Sequence, residues 1–124
     1  AVCIIGDTPN DQRQHAVERF QTDPTIRVFV GSLHAASEGI TLTRSDAVLF
    51  CEFDWVPSIH EQAAARCHRI GSTHESISIY YLALDNSIDI YIAKKLQEKQ
   101  EIIDKAVDNK PPTSLFEELI ETGI

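Results

Sequence analysis

Four short apolar runs constrain the fold of this chain more than any other feature: Val2-Cys-Ile-Ile5, Arg27-Val-Phe-Val30, Ala47-Val-Leu-Phe-Cys51 and Ile77 to Leu84. Each has the length and β-branched content of a strand, and a helix-forming segment follows each one. Thr8 to Asn10 supply helix-start residues for a segment whose apolar face is Ala16, Val17 and Phe20; it runs to about Gln21, and Thr22-Asp-Pro24 breaks it. Gly31-Ser32 leads into a short helix-like turn to about Glu38. The loop Trp55-Val-Pro57 precedes Ser58-Ile-His-Glu61, a capping box that opens a third helix, with Gly71 as its stop. Ser87 or Asp89 begins a long fourth helix to about Asp108. The order β-α-β-α-β-α-β-α, with near-continuous apolar strands and helical crossovers, predicts an α/β domain: a mostly parallel sheet with helices on both faces. Such folds bind ligands beyond the carboxyl ends of their strands, where Gly31-Ser-Leu-His34, Glu52-Phe-Asp-Trp55 and the loop into the third helix fall.

With 124 residues the chain reads as one domain. Its net charge of −8 argues against a generally basic nucleic-acid binder, so any phosphate contact has to come from a local cluster or from backbone N–H groups. All six arginines lie at or before residue 69, and all five lysines at or after residue 94. No apolar run approaches the ~18 residues of a membrane span. Cys3, Cys51 and Cys67 show no CxxC spacing, and the first two sit inside apolar runs where cysteine acts as a small hydrophobe, so a reducing intracellular compartment is expected. The five histidines have no partner at ligand spacing, and no metal site is expected.

The third helical segment contains Gln62-Ala-Ala-Ala-Arg66-Cys-His-Arg69-Ile-Gly71. If the helix continues to Gly71, Gln62, Arg66 and Arg69 fall on one stripe, with Ile59, Ala63, Cys67 and Ile70 on a second, apolar stripe. Two arginines side by side on an anchored helix suit a phosphoryl group, because the guanidinium is planar and always charged. The plainer reading is a surface helix whose arginines pair with carboxylates. Gly39 marks either a turn that needs positive φ or a helix C-cap. Trp55, the sole tryptophan, is either a ligand-end contact or a packing residue. Asp7 and Asp11 read as cap and first-turn residues. The charge pairs from Lys94 to Lys105 read as a solvated helix and carry no site.

Three segments in order resemble a known family. Arg27-Val-Phe-Val-Gly-Ser-Leu-His-Ala-Ala-Ser-Glu-Gly39-Ile-Thr-Leu-Thr43 is similar to the helicase signature of a strand, a small-residue turn and Gly-[Leu/Ile]-Asn-Leu. Ala47 to Pro57 resembles the block ending Asp-Trp-Asn-Pro, and Gln62-x3-Arg66-x-His68-Arg69-Ile-Gly71 resembles the final motif Gln-x3-Arg-x-His-Arg-Ile-Gly-Gln. Over about residues 1–105 the chain looks like the second, C-terminal RecA-like lobe of a superfamily 2 ATPase of the Swi/Snf type. It departs from the pattern at Val56 and Thr41, each in place of Asn, at Ala36-Ser37 in place of Gly-Gly, and at Ser72 in place of the terminal Gln. No Gly-x4-Gly-Lys-[Ser/Thr] phosphate loop and no Asp-Glu-x-His block is present.

The resemblance implies a three-layer RecA-like domain over residues 1–108, lacking the lobe's first strand. Arg66 and Arg69 would then act as catalytic arginine fingers toward ATP, and Gln62 and Gly39 would lie near the nucleotide. Ser32, His34 and Trp55 would contact double-stranded DNA. ATP and Mg would be held chiefly by an N-terminal lobe of the same protein, so the isolated chain would be inactive, in a nucleus or a bacterial cytoplasm. Rival readings are the C-lobe of an RNA helicase, a non-catalytic docking module and, more remotely, a small-molecule domain. Residues 109–124 form a second segment: Lys110-Pro-Pro112 is a breaker, and Ser114-Leu-Phe-Glu117 is a capping box opening a short acidic helix with Leu115, Phe116, Leu119 and Ile120. That helix would dock back on the domain or meet a partner.

Overall fold

In the computed structural model, residues 1–107 are described. The capping box at Ser114 and the helix expected after it lie outside them. The element order is the expected one: β1 (Val2–Ile4), α1 (Asn10–Thr22), β2 (Phe29–Gly31), α2 (Leu33–Ser37), β3 (Ala47–Phe50), α3 (Pro57–Ala65), β4 (Ser78–Tyr81) and α4 (Ile88–Ala106). β1 and β2 pair in parallel, with Val2 beside Phe29, Cys3 beside Val30 and Ile4 beside Gly31. β3 and β4 are also neighbours. Ser78 N donates to Asp46 O at 2.9 Å and Leu82 N to Phe50 O at 2.8 Å; both strands advance together between these bonds, so this pair is parallel too. The described residues divide into two compact units, one of Ala1–Val48 with Ile59–Ile79 and one of Leu49–Ser58 with residues 80–107.

The first unit is built around Val2, Ile4, Ala16, Phe20, Ile26, Ala35, Leu42 and Cys67, with Val17, Phe29 and Ile40 packed against them. α1 opens after Pro9, whose missing N–H is no loss at a helix start, and Asp11 sits in the first turn where the helix dipole favours a carboxylate. Arg13 reaches back from α1 to the loop after β1, donating to the carbonyls of Gly6 at 2.7 Å, Thr8 at 2.8 Å and Ile5 at 3.2 Å. The Thr8 hydroxyl accepts from Ile5 N at 2.9 Å, so the threonine expected near the helix start closes the preceding turn.

Arg44 fastens the other end of α1. Its Nη1 donates to the carbonyls of Phe20, Asp23 (2.9 Å) and Ile26 (3.0 Å), and its guanidinium lies 5.5 Å from the Phe20 ring centroid. Gln21 completes the fastening, accepting from Arg44 N at 3.0 Å and donating to the Thr43 hydroxyl at 2.9 Å. Arg44→Met keeps the aliphatic stem and removes the donors, leaving part-buried carbonyls without their partner. A loss of about 1–3 kcal/mol is expected, read as a lower midpoint in urea unfolding with an unchanged slope; an unchanged midpoint would show that water replaces the guanidinium at no cost.

The cysteines depart from expectation. Cys3 and Cys51 are exposed and only Cys67 is buried: strand alternation turns Cys3 outward between Val2 and Ile4, and Cys51 lies just past the end of β3. Burial pushes the Cys67 thiol up, against an opposing contribution from a hydrogen bond with Ser45.

In the second unit, Ile92 and Leu96 of α4 pack with Phe53 and Tyr81. The Tyr81 ring stacks between Phe50, at a centroid distance of 4.9 Å, and Phe53, at 5.7 Å. Of the two candidates for the start of α4, Ser87 is the cap: its hydroxyl accepts from Asp89 N at 3.1 Å, while Asp89 accepts from Leu84 N at 3.0 Å. Gln100 Nε2 donates to Asp104 Oδ1 at 2.9 Å on the buried side of the same helix.

Candidate functional site: two arginines on the Gly39 loop

α3 starts and ends earlier than its sequence suggests. Its first residue is Pro57, a good N1 residue because it has no N–H to leave orphaned, so Ser58 lies inside the helix and not at its cap. Its last residue is Ala65. Beyond that the backbone tightens: Arg66 N donates to Ala63 O at 3.3 Å and Cys67 N to Ala64 O at 3.1 Å, both spanning three residues as in a 3₁₀ turn. The continuous stripe expected for Gln62, Arg66 and Arg69 is therefore corrected. Only Gln62 is on the helix, and it is exposed; Arg66 and Arg69 belong to the turn that follows. The apolar stripe is corrected for the same reason: Ala63 and Cys67 are buried, but Ile70 is fully exposed. Gly71, with φ of +97°, lies six positions past the helix end (71 − 65) and completes the turn.

The turn is held by a loop from earlier in the chain. β2 ends at Gly31, where an added Cβ would stand 3.1 Å from the Ala36 Cβ, so a larger residue there would require α2 to give by a few tenths of an ångström. Ser32 caps α2 with its backbone, and its N–H donates to Ile4 O at 3.1 Å. His34 is exposed on α2, and its carbonyl accepts from the Ser37 hydroxyl at 2.8 Å. α2 stops at Ser37, Glu38 is its C-cap, and Gly39 follows at φ of +58° with open space around its α-carbon. The two readings of Gly39 coincide: it is a left-handed residue just past a helix end, and it turns the chain into the loop that follows.

Both arginines grip this loop. Arg66 Nη2 donates to Ser37 O, and the backbone carbonyl of Arg66 accepts from Leu42 N at 2.9 Å. Arg69 Nη1 donates to Ile40 O and to the Thr41 hydroxyl, each at 3.3 Å. Arg66 is half-buried, and its Nε is shut off from solvent without a hydrogen-bond partner. Buried donors are seldom left unmade, so this Nε is an unmet donor inside the turn. Arg69 is exposed and held by two long bonds, which leaves its guanidinium easy to draw toward a stronger acceptor. These partners are backbone carbonyls and a single hydroxyl, which no residue pattern announces.

Trp55 belongs to the second unit. Asp54 Oδ1 accepts from Val56 N at 2.8 Å, an Asx turn that delivers the chain to Pro57. Trp55 is 44% exposed, its indole meets Tyr91 edge-on at 6.0 Å, and its carbonyl accepts from Lys99 Nζ at 2.6 Å. It is thus partly packed and partly presented to solvent. Among the described residues, no group of three His, Cys, Asp or Glu side chains is arranged to hold a metal ion, and no helix is long and apolar enough to cross a membrane.

Parallel strand pairs joined through helices define a RecA-like α/β lobe, with arginines and a left-handed glycine gathered on one loop. The chain belongs to the helicase conserved C-terminal domain family, whose model matches residues 1–71, and its relatives are of the Swi/Snf type. It is 41% identical over 118 residues to "Helicase SWR1" of Yarrowia lipolytica, which covers 94% of this chain and 6% of that protein. It is 40% identical over 113 residues to "Helicase domino" of Drosophila melanogaster, covering 91% of this chain and 4% of that one. The solved C-terminal part of the Fun30 ATPase domain superposes with a TM-score of 0.72 at 29% identity, over 77% of this chain and 30% of that one. The chain therefore spans a small fraction of the relatives it matches.

Proposed function

We infer that this chain is the C-terminal lobe of a DNA-dependent ATPase that moves along or remodels double-stranded DNA. The observation that carries the reading is the convergence of Arg66 and Arg69 on the Gly39 loop, within one unit and on residues of the family's own motifs. Both guanidiniums are donor-only groups, and Arg69 is exposed and held by two long bonds, so the pair suits the phosphate oxygens of ATP. ATP and its Mg would be held mainly by the N-terminal lobe of the same protein, since the described residues gather no carboxylate set for a cation. Arg66 and Arg69 would neutralise charge that builds on the transferring phosphoryl group, and Gln62 would orient them from the end of α3. Ser32, His34 and Trp55 would position the duplex through its backbone, without reading bases. Closure of the two lobes around ATP and reopening after hydrolysis would advance the DNA. Alone, the 124-residue chain is expected to turn over no ATP. Relatives from a yeast and a fly favour a nuclear setting over a bacterial cytoplasm.

The test is ATP turnover by the full-length protein with duplex DNA, with RNA, and with neither. Stimulation by duplex DNA is expected, with Trp55→Ala raising the DNA concentration needed for half-maximal rate. Stimulation by RNA alone would make the chain the C-lobe of an RNA helicase, and no turnover under any condition would make it a docking module.

A further inference from the structure

We propose that Thr41 is a positioning residue for Arg69: its hydroxyl holds the guanidinium so that one edge of the arginine, Nε with Nη2, stays open to a phosphate. This role presupposes that Arg69 meets the phosphates of ATP, as inferred above, and names the group that aims it there. Both bonds on the Arg69 guanidinium start from a single nitrogen. Nη1 donates to Ile40 O and to Thr41 Oγ1, each at 3.3 Å. It carries two N–H groups, so the loop takes up its whole capacity. Among the described residues, no bond from Nε or Nη2 accompanies them. Those two atoms present the parallel donors that grip an oxyanion bidentately. A contact along that edge would hide the arginine from an anion, whereas a contact at Nη1 presents it.

The main chain is set on both sides of this contact, which lets a hydroxyl aim a long side chain. On the arginine's side, Cys67 is buried, Ser72 N donates to Arg69 O at 2.9 Å, and Gly71 completes the turn at φ of +97°. On the threonine's side, Gly39 makes its left-handed turn at φ of +58°. Leu42 is buried, and its N–H lies on Arg66 O at 2.9 Å. Thr41 therefore sits between a fixed turn and a core residue, and its β-branch restricts χ1 further. What remains loose is the exposed Arg69 side chain, whose rotamer freedom a phosphate would otherwise have to remove. Ile40 contributes a main-chain carbonyl that any residue would supply. The Thr41 hydroxyl is the part of the grip that a residue type encodes.

Thr41→Val keeps the branched shape and removes the acceptor. In the 124-residue chain, NMR relaxation of the Arg69 Nε–H should show more side-chain motion in Thr41→Val than in wild type, with Thr41→Ser at the wild-type level. In the full-length protein, Thr41→Val should lower the kcat of DNA-stimulated ATP turnover about tenfold, as expected for one hydrogen bond to a charged group. The KM for ATP and the Tm should stay unchanged, since both side chains are exposed in the resting structure. Thr41→Ser should recover most of kcat. Equal Arg69 motion in wild type and Thr41→Val would overturn the proposal, and so would a Thr41→Val enzyme with wild-type kcat. If Arg69→Ala still collapses turnover in that second case, the arginine reading stands and only the role of Thr41 is lost. If Arg69→Ala is as active as wild type, the arginine reading falls and the role of Thr41 falls with it.

Discussion

In the full-length protein, Arg69→Ala is expected to lower DNA-stimulated ATP turnover by about 10³- to 10⁵-fold, equivalent to ~4–7 kcal/mol of transition-state stabilisation. The size of the effect separates the proposed role from the bland one. In the resting structure Arg69 makes only two bonds of 3.3 Å from an exposed position. Losing them should change stability by no more than about 1 kcal/mol. Steady-state kinetics beside a thermal melt therefore decide the matter: a collapse of kcat with an almost unchanged Tm is the signature of a group that acts on the reacting phosphate. Arg66→Ala should differ, because Arg66 is half-buried and ties its turn to Ser37. It should lose both turnover and stability. An Arg69→Ala enzyme as active as wild type would return the turn after α3 to the status of a solvated surface.

The largest stability effect is expected at Leu96. Its side chain is fully buried on α4, packed with Ile92 against Phe53 and Tyr81. Leu96→Ala removes three carbon centres from a site whose neighbours are two stacked aromatic rings with little freedom to collapse, so the cavity remains. The expected loss is about 2–5 kcal/mol, a large share of the ~5–15 kcal/mol by which domains of this kind are stable. Urea or thermal unfolding of the chain measures it. Ile70→Ala is the control. Ile70 is entirely exposed, and its truncation should stay within about 0.5 kcal/mol. Equal losses at the two positions would mean that Ile70 is covered in solution.

Much of the architecture is written locally. Apolar runs of strand length, the break at Thr22-Asp-Pro24 and the Ser87 cap are decided by neighbours a few residues apart, and the observed elements follow them. The family motifs are equally local, and two of their residues, Arg66 and Arg69, meet the loop around Gly39 in the structure. Cys3 shows the limit. An apolar run has two sides in a strand, and only packing selects the one that faces out.

The end of α3 shows the same limit at the site itself. Nothing in Gln62-Ala-Ala-Ala-Arg66-Cys-His-Arg69 forbids a helix to Gly71, since alanine and arginine both favour one. The helix ends at Ala65 where the next residues find partners in the Gly39 loop, 28 and 29 positions earlier in the chain. Those partners are mostly backbone carbonyls, which every residue possesses and no residue type signals. The sequence by itself determined the order of elements, the family and the candidate arginines of the turn after α3. The tertiary structure decided where the helix gives way and what the arginines hold, because hydrogen bonds to distant main-chain oxygens exist only once the chain has brought them together.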